Sequence, residues 1–237
     1  MSNIADDKKL PPLKQESPPT RRWQNQYIEL ARSLPEYLLS YEAAPPKEAL
    51  ATVLQKTAHH SEVYLDIGTG SGNFVLDSSK QDPKGFYLGV ELRFKRAFRA
   101  AEKAQQAGLL NVFFFRAKAQ DLIAALGDQS LSGVYVNFPD PWSKKKWEKH
   151  KLLKLDFLKE IARVLKTDGF FRYVTDHRGY FDQICEIIPQ VSAFRIEHIK
   201  RDQPFKTRDL ACPSTEFGQL FESKNMLFHE LLVKKIP

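Results

Sequence analysis

The sequence predicts an α/β fold, an open and mainly parallel sheet of about seven strands with helices on both faces. Short apolar runs typical of buried strands alternate five times with helical patterns, and two further strand patterns follow. Such alternation favours a parallel sheet, because the chain crosses back through a helix between parallel strands. Four acids, Asp66, Glu91, Asp140 and Asp176, stand at or just after the ends of strand patterns and should meet at the edge of the sheet where ligands bind. The chain has 237 residues, 42% of them hydrophobic, enough for one core.

The strand patterns are short runs rich in β-branched, aromatic and leucine residues. In chain order they cover Glu62–Ile67, Phe86–Val90, Asn111–Phe115, Leu131–Asn137, Phe170–Thr175, Phe194–Ile199 and Met226–Val233. The helix patterns between them run from the turn after Ile67 to about Lys80, and then over Phe94–Ala107, Ala119–Leu126, Leu153–Leu165 and Gly179–Ile188. Leu155, Leu158 and Ile161 show the helical spacing that places apolar side chains on one stripe. A turn at Thr167–Gly169 is predicted to end that helix.

The region before the sheet divides into two parts by composition. Residues 1–20 are rich in Pro, Lys, Glu, Asp and Ser, which predicts a disordered N-terminal tail. Residues 21–60 are predicted as a helical extension, with helical patterns at Tyr27–Leu39 and Lys47–Lys56. The α/β domain itself is expected to cover residues 61–237.

Composition bounds the function classes. The net charge of +7 favours a polyanionic partner, although solubility alone would also explain it. Cys185 and Cys212 lack metal-like spacing and are expected to be reduced thiols. His59, His60 and His150 lack partners at metal-ligand spacing, so no metal is assigned. No apolar run approaches a membrane span, and Met1–Lys9 lacks the apolar core of a signal peptide, so a cytoplasmic protein is expected.

A glycine-rich turn follows the first strand of the domain. It contains Gly68, Gly70 and Gly72, which allow a tight strand-to-helix turn and close approach of backbone amides to a ligand. The next strand ends in Glu91, about twenty residues further on, where an acid can accept both hydroxyls of a ribose. An acid before the glycines, Asp66, would repel the pyrophosphate of a dinucleotide. The pattern therefore favours S-adenosylmethionine, which carries an ammonium and a sulfonium and no phosphate.

A second unusual segment begins where the strand Leu131–Asn137 ends. Pro139 and Pro141 flank Asp140 and restrict the residues that precede them to extended backbone, so the acid is presented on a stiff turn. Trp142 and a run of lysines between 144 and 151 follow. An acid, a flat aromatic and cations together suggest a site for a base on a phosphate backbone. The alternatives are a turn-capping acid, a tryptophan that packs the turn, and a solvated lysine face.

These segments resemble the bacterial tRNA (guanine-N7)-methyltransferases, a Rossmann-like class I methyltransferase family. The similarity spans roughly Tyr64 to Phe217 and is most specific at Asn137–Trp142 (Asn-Phe-Pro-Asp-Pro-Trp), followed by lysines. Supporting segments are Asp66–Gly72, Gly89–Leu92, Thr175–Gly179 and Thr215–Phe217. The resemblance implies transfer of a methyl group from S-adenosylmethionine to N7 of a guanosine in the tRNA variable loop, at position 46.

The resemblance also implies roles for individual residues. Asp140 would be catalytic, between the cofactor and the guanine. The cofactor-binding residues would be Asp66, Gly68, Gly70, Gly72, Glu91, Asn137 and, in the region that faces the adenine, Lys118 and Ala119. The substrate-binding residues would be Trp142, Lys144, Asp176, Thr215 and Glu216. The partner would be tRNA, and the protein is expected to be a monomer or a weak homodimer.

Two single residues and one short segment depart from the family pattern. Lys118 stands where the family often has Asp or Asn, and Gly218 stands where it usually has Glu. The family's His-x-Lys-Arg-Arg is replaced here by residues 147–151, Trp-Glu-Lys-His-Lys, so lysines replace bidentate arginines. Two other functions stay open: a class I methyltransferase for another RNA site or a small molecule, and a non-catalytic tRNA-binding relative.

Overall fold

The fold is described from a computed structural model, which covers residues 26–41, 45, 47–142, 151–204 and 224–237. The N-terminal tail, the lysine run up to His150 and the Thr215–Gly218 segment lie outside the described residues. Among the helices that are described, none has the length and apolar character needed to cross a lipid bilayer.

The described residues form one eight-stranded sheet with the spatial order β1-β4-β3-β2-β5-β6-β8-β7. The strands are β1 Leu38–Ser40, β2 Glu62–Ile67, β3 Gly85–Glu91, β4 Val112–Arg116, β5 Leu131–Asn137, β6 Leu165–Thr175, β7 Phe194–Pro204 and β8 Leu227–Lys235. Strands β1 to β6 pair in parallel, and β8 pairs antiparallel with both β6 and β7. The predicted fold class is confirmed. The strand order reverses between β2 and β5, which makes their carboxyl ends the expected ligand site.

Helices cover both faces of the sheet. They are α1 Tyr27–Arg32, α2 Lys47–Thr57, α3 Asn73–Gln81, α4 Phe94–Gln106, α5 Ala119–Ala125, α6 Leu155–Val164 and α7 Arg178–Ile187, which continues into a 3₁₀ turn, Ile188–Gln190. Helices α1, α3 and α4 pack on one apolar cluster, and α2, α5, α6 and α7 pack on the other. The small residues Ala97, Ala100, Ala101 and Ala104 are fully buried, so α4 lies close against the sheet.

The N-terminal region contributes a strand that the sequence did not predict. Leu38–Ser40 overlaps the end of the predicted helix Tyr27–Leu39 but forms β1, which pairs with β4 at the edge of the sheet. The helix prediction was wrong there. Leu38 is 2% exposed, and the Phe114 amide donates a hydrogen bond to the Tyr37 carbonyl at 2.8 Å. Three residues are too few for a strand period to show in the sequence.

The predicted turn at Thr167–Gly169 lies inside β6, which begins directly after α6 at Leu165. The pairing with β5 shifts register between Leu131 and Gly133, and Asp168 has a φ of 64°. The turn residues therefore form an irregularity within the strand.

Candidate functional site

A cavity of about 520 Å³ opens at the carboxyl ends of the central strands. Its lining comes from the segments that follow β2, β3, β4 and β5. Three of the four acids predicted to meet at this edge line it, namely Asp66, Glu91 and Asp140. The reversal of strand order explains the cavity, because the connections from β2 and β5 leave the sheet in opposite directions.

The glycine-rich turn closes one side of the cavity. The amides of Gly68 and Thr69 donate hydrogen bonds to the Val90 carbonyl at 2.8 and 3.1 Å, which ties the turn to β3. Gly68 and Gly70 have φ values of 80° and 59°, a region that other residues enter only with strain. A Cβ atom at either position would meet nothing within 4 Å. The backbone is therefore exposed to the cavity, and a ligand can approach it closely.

Gly72 differs from the other two glycines. We predicted it to bind the cofactor, but it is not among the residues that line the cavity. A Cβ atom there would lie 2.7 Å from the Cβ of Ala100 and 3.2 Å from Cζ of Phe114. Gly72 therefore allows α3 to begin directly against α4.

We expect Gly72→Ala to lower the free energy of unfolding by about 2–4 kcal/mol, because it combines backbone strain at φ 81° with overpacking. Gly108→Ala is the matched control, since Gly108 has a φ of 62° and nothing within 4 Å of its Cβ position. It should lose only about 1 kcal/mol, by strain alone. Urea denaturation measures both variants, and equal losses would show that the contact with Ala100 is unimportant.

Asp66 is a buried acid at the floor of the cavity, with 4% of its surface exposed. Burial raises the pKa of its carboxyl to about 7, and the nearby Glu91 adds to the rise. The side-chain amide of Asn137 donates a hydrogen bond to Asp66 Oδ1 at 3.2 Å, which works in the opposite direction. Asn137 Oδ1 is itself buried and accepts no hydrogen bond from the described residues. The pair therefore offers two buried acceptors to a cationic ligand.

Glu91 is held between the glycine turn and the start of α4. Its Oε2 accepts a hydrogen bond from the Gly70 amide at 3.1 Å, and its Oε1 accepts one from the Arg93 amide at 2.8 Å. The carboxylate is 8% exposed and lines the cavity. Each oxygen keeps a second lone pair, so Glu91 is a pre-positioned acceptor for ligand hydroxyls.

The turn that carries Asp140 is bracketed by two aromatic residues with left-handed backbone. Phe138 has a φ of 50° and Trp142 a φ of 44°. The left-handed backbone of Phe138 corrects the prediction that the residue before Pro139 is extended. The Phe138 amide donates a hydrogen bond to the Val174 carbonyl at 2.8 Å, and its ring packs against Val174 and Phe228. Contacts to β6 and β8 thus offset the strain and hold exposed Asp140 at the cavity rim.

The remaining predicted residues divide into three groups. Lys118, Ala119 and Trp142 line the cavity beside the acids. Asp176 is exposed at the end of β6 and does not line the cavity. The next residue, His177, caps α7, and its side chain accepts a hydrogen bond from the Tyr180 amide at 3.0 Å. Lys144, Thr215 and Glu216 lie outside the described residues. Within the described part of the chain, no three His, Cys, Asp or Glu side chains are grouped as metal ligands would be.

Arg93 and Arg96 also line the cavity, and the sequence did not single them out as site residues. On the sequence alone, a solvated helix face explained the cations Arg93, Lys95, Arg96 and Arg99. The positive end of a helix dipole favours acidic residues, but the first turn of α4 contains none. The position of these cations at that end was therefore a signal that the sequence offered.

The family model described as "Putative methyltransferase" matches residues 60–231. The chain belongs to this methyltransferase family. The match covers the whole cavity lining, from the glycine turn to the Asp140 turn and beyond.

Two curated relatives of this chain illustrate the similarity. A tRNA (guanine-N(7)-)-methyltransferase of Geobacillus kaustophilus is 37% identical over 52% of this chain and 57% of its own length. A bifunctional glycosyltransferase/methyltransferase of Fusobacterium nucleatum is 30% identical over 90% of this chain, but the match spans only 33% of that protein. This chain thus spans about a third to somewhat over half the length of these relatives. A tRNA (guanine-N(7)-)-methyltransferase of Oceanobacillus iheyensis is 30% identical over 76% of this chain and 83% of its own length, which confirms the family resemblance that the motifs indicated.

Solved structures share the fold. A variant of the 16S rRNA (adenine(1408)-N(1))-methyltransferase of Catenulisporales acidiphilia, with its cosubstrate SAM, superposes with a TM-score of 0.59 at 14% identity. The superposition covers 81% of this chain and 92% of the other. Identity at this level supports the fold alone.

Proposed function

We propose that this protein transfers a methyl group from S-adenosylmethionine to N7 of a guanosine in the variable loop of tRNA, at position 46. One observation carries the proposal: Asp140 lines the same cavity as the acids Asp66 and Glu91. A group that can bind a purine therefore lies beside groups suited to the cofactor. The name of the Geobacillus relative supports guanine N7 and tRNA, and tRNA as substrate implies action in the cytoplasm.

The residues of the cavity fit this cofactor. Asp66 and the unsatisfied Asn137 Oδ1 can accept hydrogen bonds from its ammonium group, and Glu91 can accept them from the ribose hydroxyls. Gly68 and Gly70 leave open space at the backbone for the methionine part. When bound, S-adenosylmethionine supplies a methyl group activated by a sulfonium.

The chain's own task in this reaction is mainly positioning. Guanine N7 has a free lone pair and loses no proton when it is methylated, so no general base is needed. The purine gains a positive charge instead. The Asp140 carboxylate, on its stiff turn, accepts hydrogen bonds from the guanine or the cofactor and offsets that charge.

Further substrate contacts are part of the same proposal. Trp142 lines the cavity together with Asp140, and its flat aromatic side chain can stack on an exposed base. Lys144, Asp176, Thr215 and Glu216 are proposed to contact the target nucleoside or its phosphates, as the family resemblance implies. We propose that Lys118 and Ala119 lie near the adenine and contribute backbone groups to it. The Lys118 side chain has no acceptor for the adenine amine, and Ala119 adds only its apolar methyl group.

The decisive experiment incubates the protein with labelled S-adenosylmethionine and unmodified tRNA, followed by nucleoside analysis. We expect 7-methylguanosine with a tRNA that has guanosine at position 46, and none with a matched transcript that has adenosine there. A different methylated base would refute the N7 assignment and support another RNA site. Cofactor binding by calorimetry without any methylated nucleoside would instead support a non-catalytic relative.

A further inference from the structure

Three cationic side chains line the cavity. They are Arg93 and Arg96, at the beginning of α4, and Lys118, just before α5. None of the three side chains makes a hydrogen bond or ion pair within the described part of the chain. In contrast, Arg99 on the same helix pairs with Glu102 at 3.1 Å. We call Arg93, Arg96 and Lys118 the cationic rim.

Arg93 and Lys118 are exposed to solvent, but the stability of the fold does not explain the positions of the two arginines. Arg96 is half-buried, and a partly desolvated cation without a counter-charge is unfavourable. Arg93 and Arg96 also lie at the amino end of α4, where the helix dipole disfavours positive charge. Three acids line the same cavity, and none of them pairs with a rim cation. The arrangement leaves three positive charges available to an anionic ligand.

The proposed cofactor does not supply that anion. Its carboxylate belongs to the methionine part, which we assign to Asp66 and the glycine turn. Arg93 and Lys118 follow the ends of β3 and β4, on the side of Glu91, which we assign to the ribose. The adenosine part is uncharged, so it leaves the rim cations unpaired.

We propose that the cationic rim binds phosphates of the RNA substrate, next to the nucleotide whose base reaches Asp140. The inference rests on the proposed function and extends it, because the resemblance implied RNA contacts only at Trp142, Lys144, Asp176, Thr215 and Glu216. Because the rim and Asp140 line one cavity, RNA that presents a base to Asp140 brings its backbone phosphates to the rim. Arginine suits this task, because its planar fork grips phosphate oxygens in pairs.

The test is a triple variant, Arg93→Gln/Arg96→Gln/Lys118→Gln, in equilibrium binding of fluorescent unmodified tRNA at several KCl concentrations. Each lost phosphate contact removes about 0.7–0.9 from the slope of log affinity against log salt, so the slope should become shallower by about 2–3. We expect tRNA affinity to fall on the order of ten- to a hundredfold at physiological salt. The cofactor affinity, measured by calorimetry, should change by less than about twofold.

The matched control removes three cations that do not line the cavity, Lys84→Gln/Arg99→Gln/Lys159→Gln. It has the same net charge as the rim variant and should keep both the tRNA affinity and the salt slope. An unchanged slope in the rim variant, or an equal change in the control, would overturn the inference. Weaker cofactor binding with unchanged tRNA binding would also overturn it and assign the rim to the cofactor carboxylate.

The inference and the proposed function fail in different ways. Normal formation of 7-methylguanosine, together with an unchanged salt slope in the rim variant, would refute the rim alone. A wild-type protein that makes no 7-methylguanosine, but whose tRNA affinity depends on the rim, would refute the function and keep the rim. A wild-type protein that binds no RNA would refute both.

Discussion

Asp140→Asn should lower kcat for methyl transfer to tRNA by about a hundredfold or more. The substitution keeps the shape of the side chain on its stiff turn but removes the negative charge that offsets the positive charge on the purine. Loss of one pre-positioned electrostatic contact at a reacting centre typically costs about 10²–10³ in kcat. Single-turnover assays with saturating tRNA isolate this effect from binding.

Two controls separate charge from folding for Asp140. Because Asp140 is exposed, Asp140→Asn should leave the thermal midpoint unchanged. Asp156→Asn removes a charge from an exposed acid on α6, away from the cavity, and should keep wild-type turnover. Near-normal turnover by well-folded Asp140→Asn would show that its carboxylate only shapes the turn.

Asp66→Asn is expected to weaken cofactor binding by about a hundredfold while it stabilises the ligand-free protein. The buried carboxylate offers its charge to the ammonium group of the cofactor, and a charge-assisted contact of this kind is worth about 1.5–3 kcal/mol. Without the ligand, the same buried charge opposes folding. Calorimetry with S-adenosylmethionine measures the first effect, and thermal unfolding at pH 8 measures the second.

The pH dependence of both quantities follows from the pKa of Asp66, which burial raises to about 7. The cation binds the ionised form, so cofactor affinity should be full above pH 7 and fall as the pH drops through 7. The free energy of unfolding depends on pH in the opposite direction, because the folded protein holds a proton on Asp66 that the unfolded chain releases near pH 3.8. This contribution is present at low pH and is lost as the pH rises through about 7.

Asp66→Asn should abolish both dependences. At pH 8 we expect the ligand-free variant to gain on the order of 1–3 kcal/mol over the wild-type protein, and the gain should shrink towards pH 5. Asn137 can still donate its hydrogen bond to the new amide oxygen. A pH-independent cofactor affinity in the wild-type protein would contradict the assignment of Asp66 to the cationic part of the ligand.

The sequence by itself determined the features that depend on local pattern. Strand and helix periodicity predicted the parallel sheet, because each element must bury one face. The glycines predicted the turn after β2, and the acids at strand ends predicted a shared site, because parallel strands end at one edge. The family motifs located Asp140 on its turn. All of these depend on residues that are close together in the chain.

Only the tertiary structure decided the features that depend on distant partners. β1 forms because Leu38–Ser40 pairs with β4. The left-handed backbone of Phe138 is stabilised by its contacts with β6 and β8. The elevated pKa of Asp66 depends on burial by the whole sheet. The cationic rim brings together Arg93 and Arg96, which follow β3, and Lys118, which follows β4. Burial, strain and unpaired charge are properties of neighbours in space, and sequence spacing does not encode them.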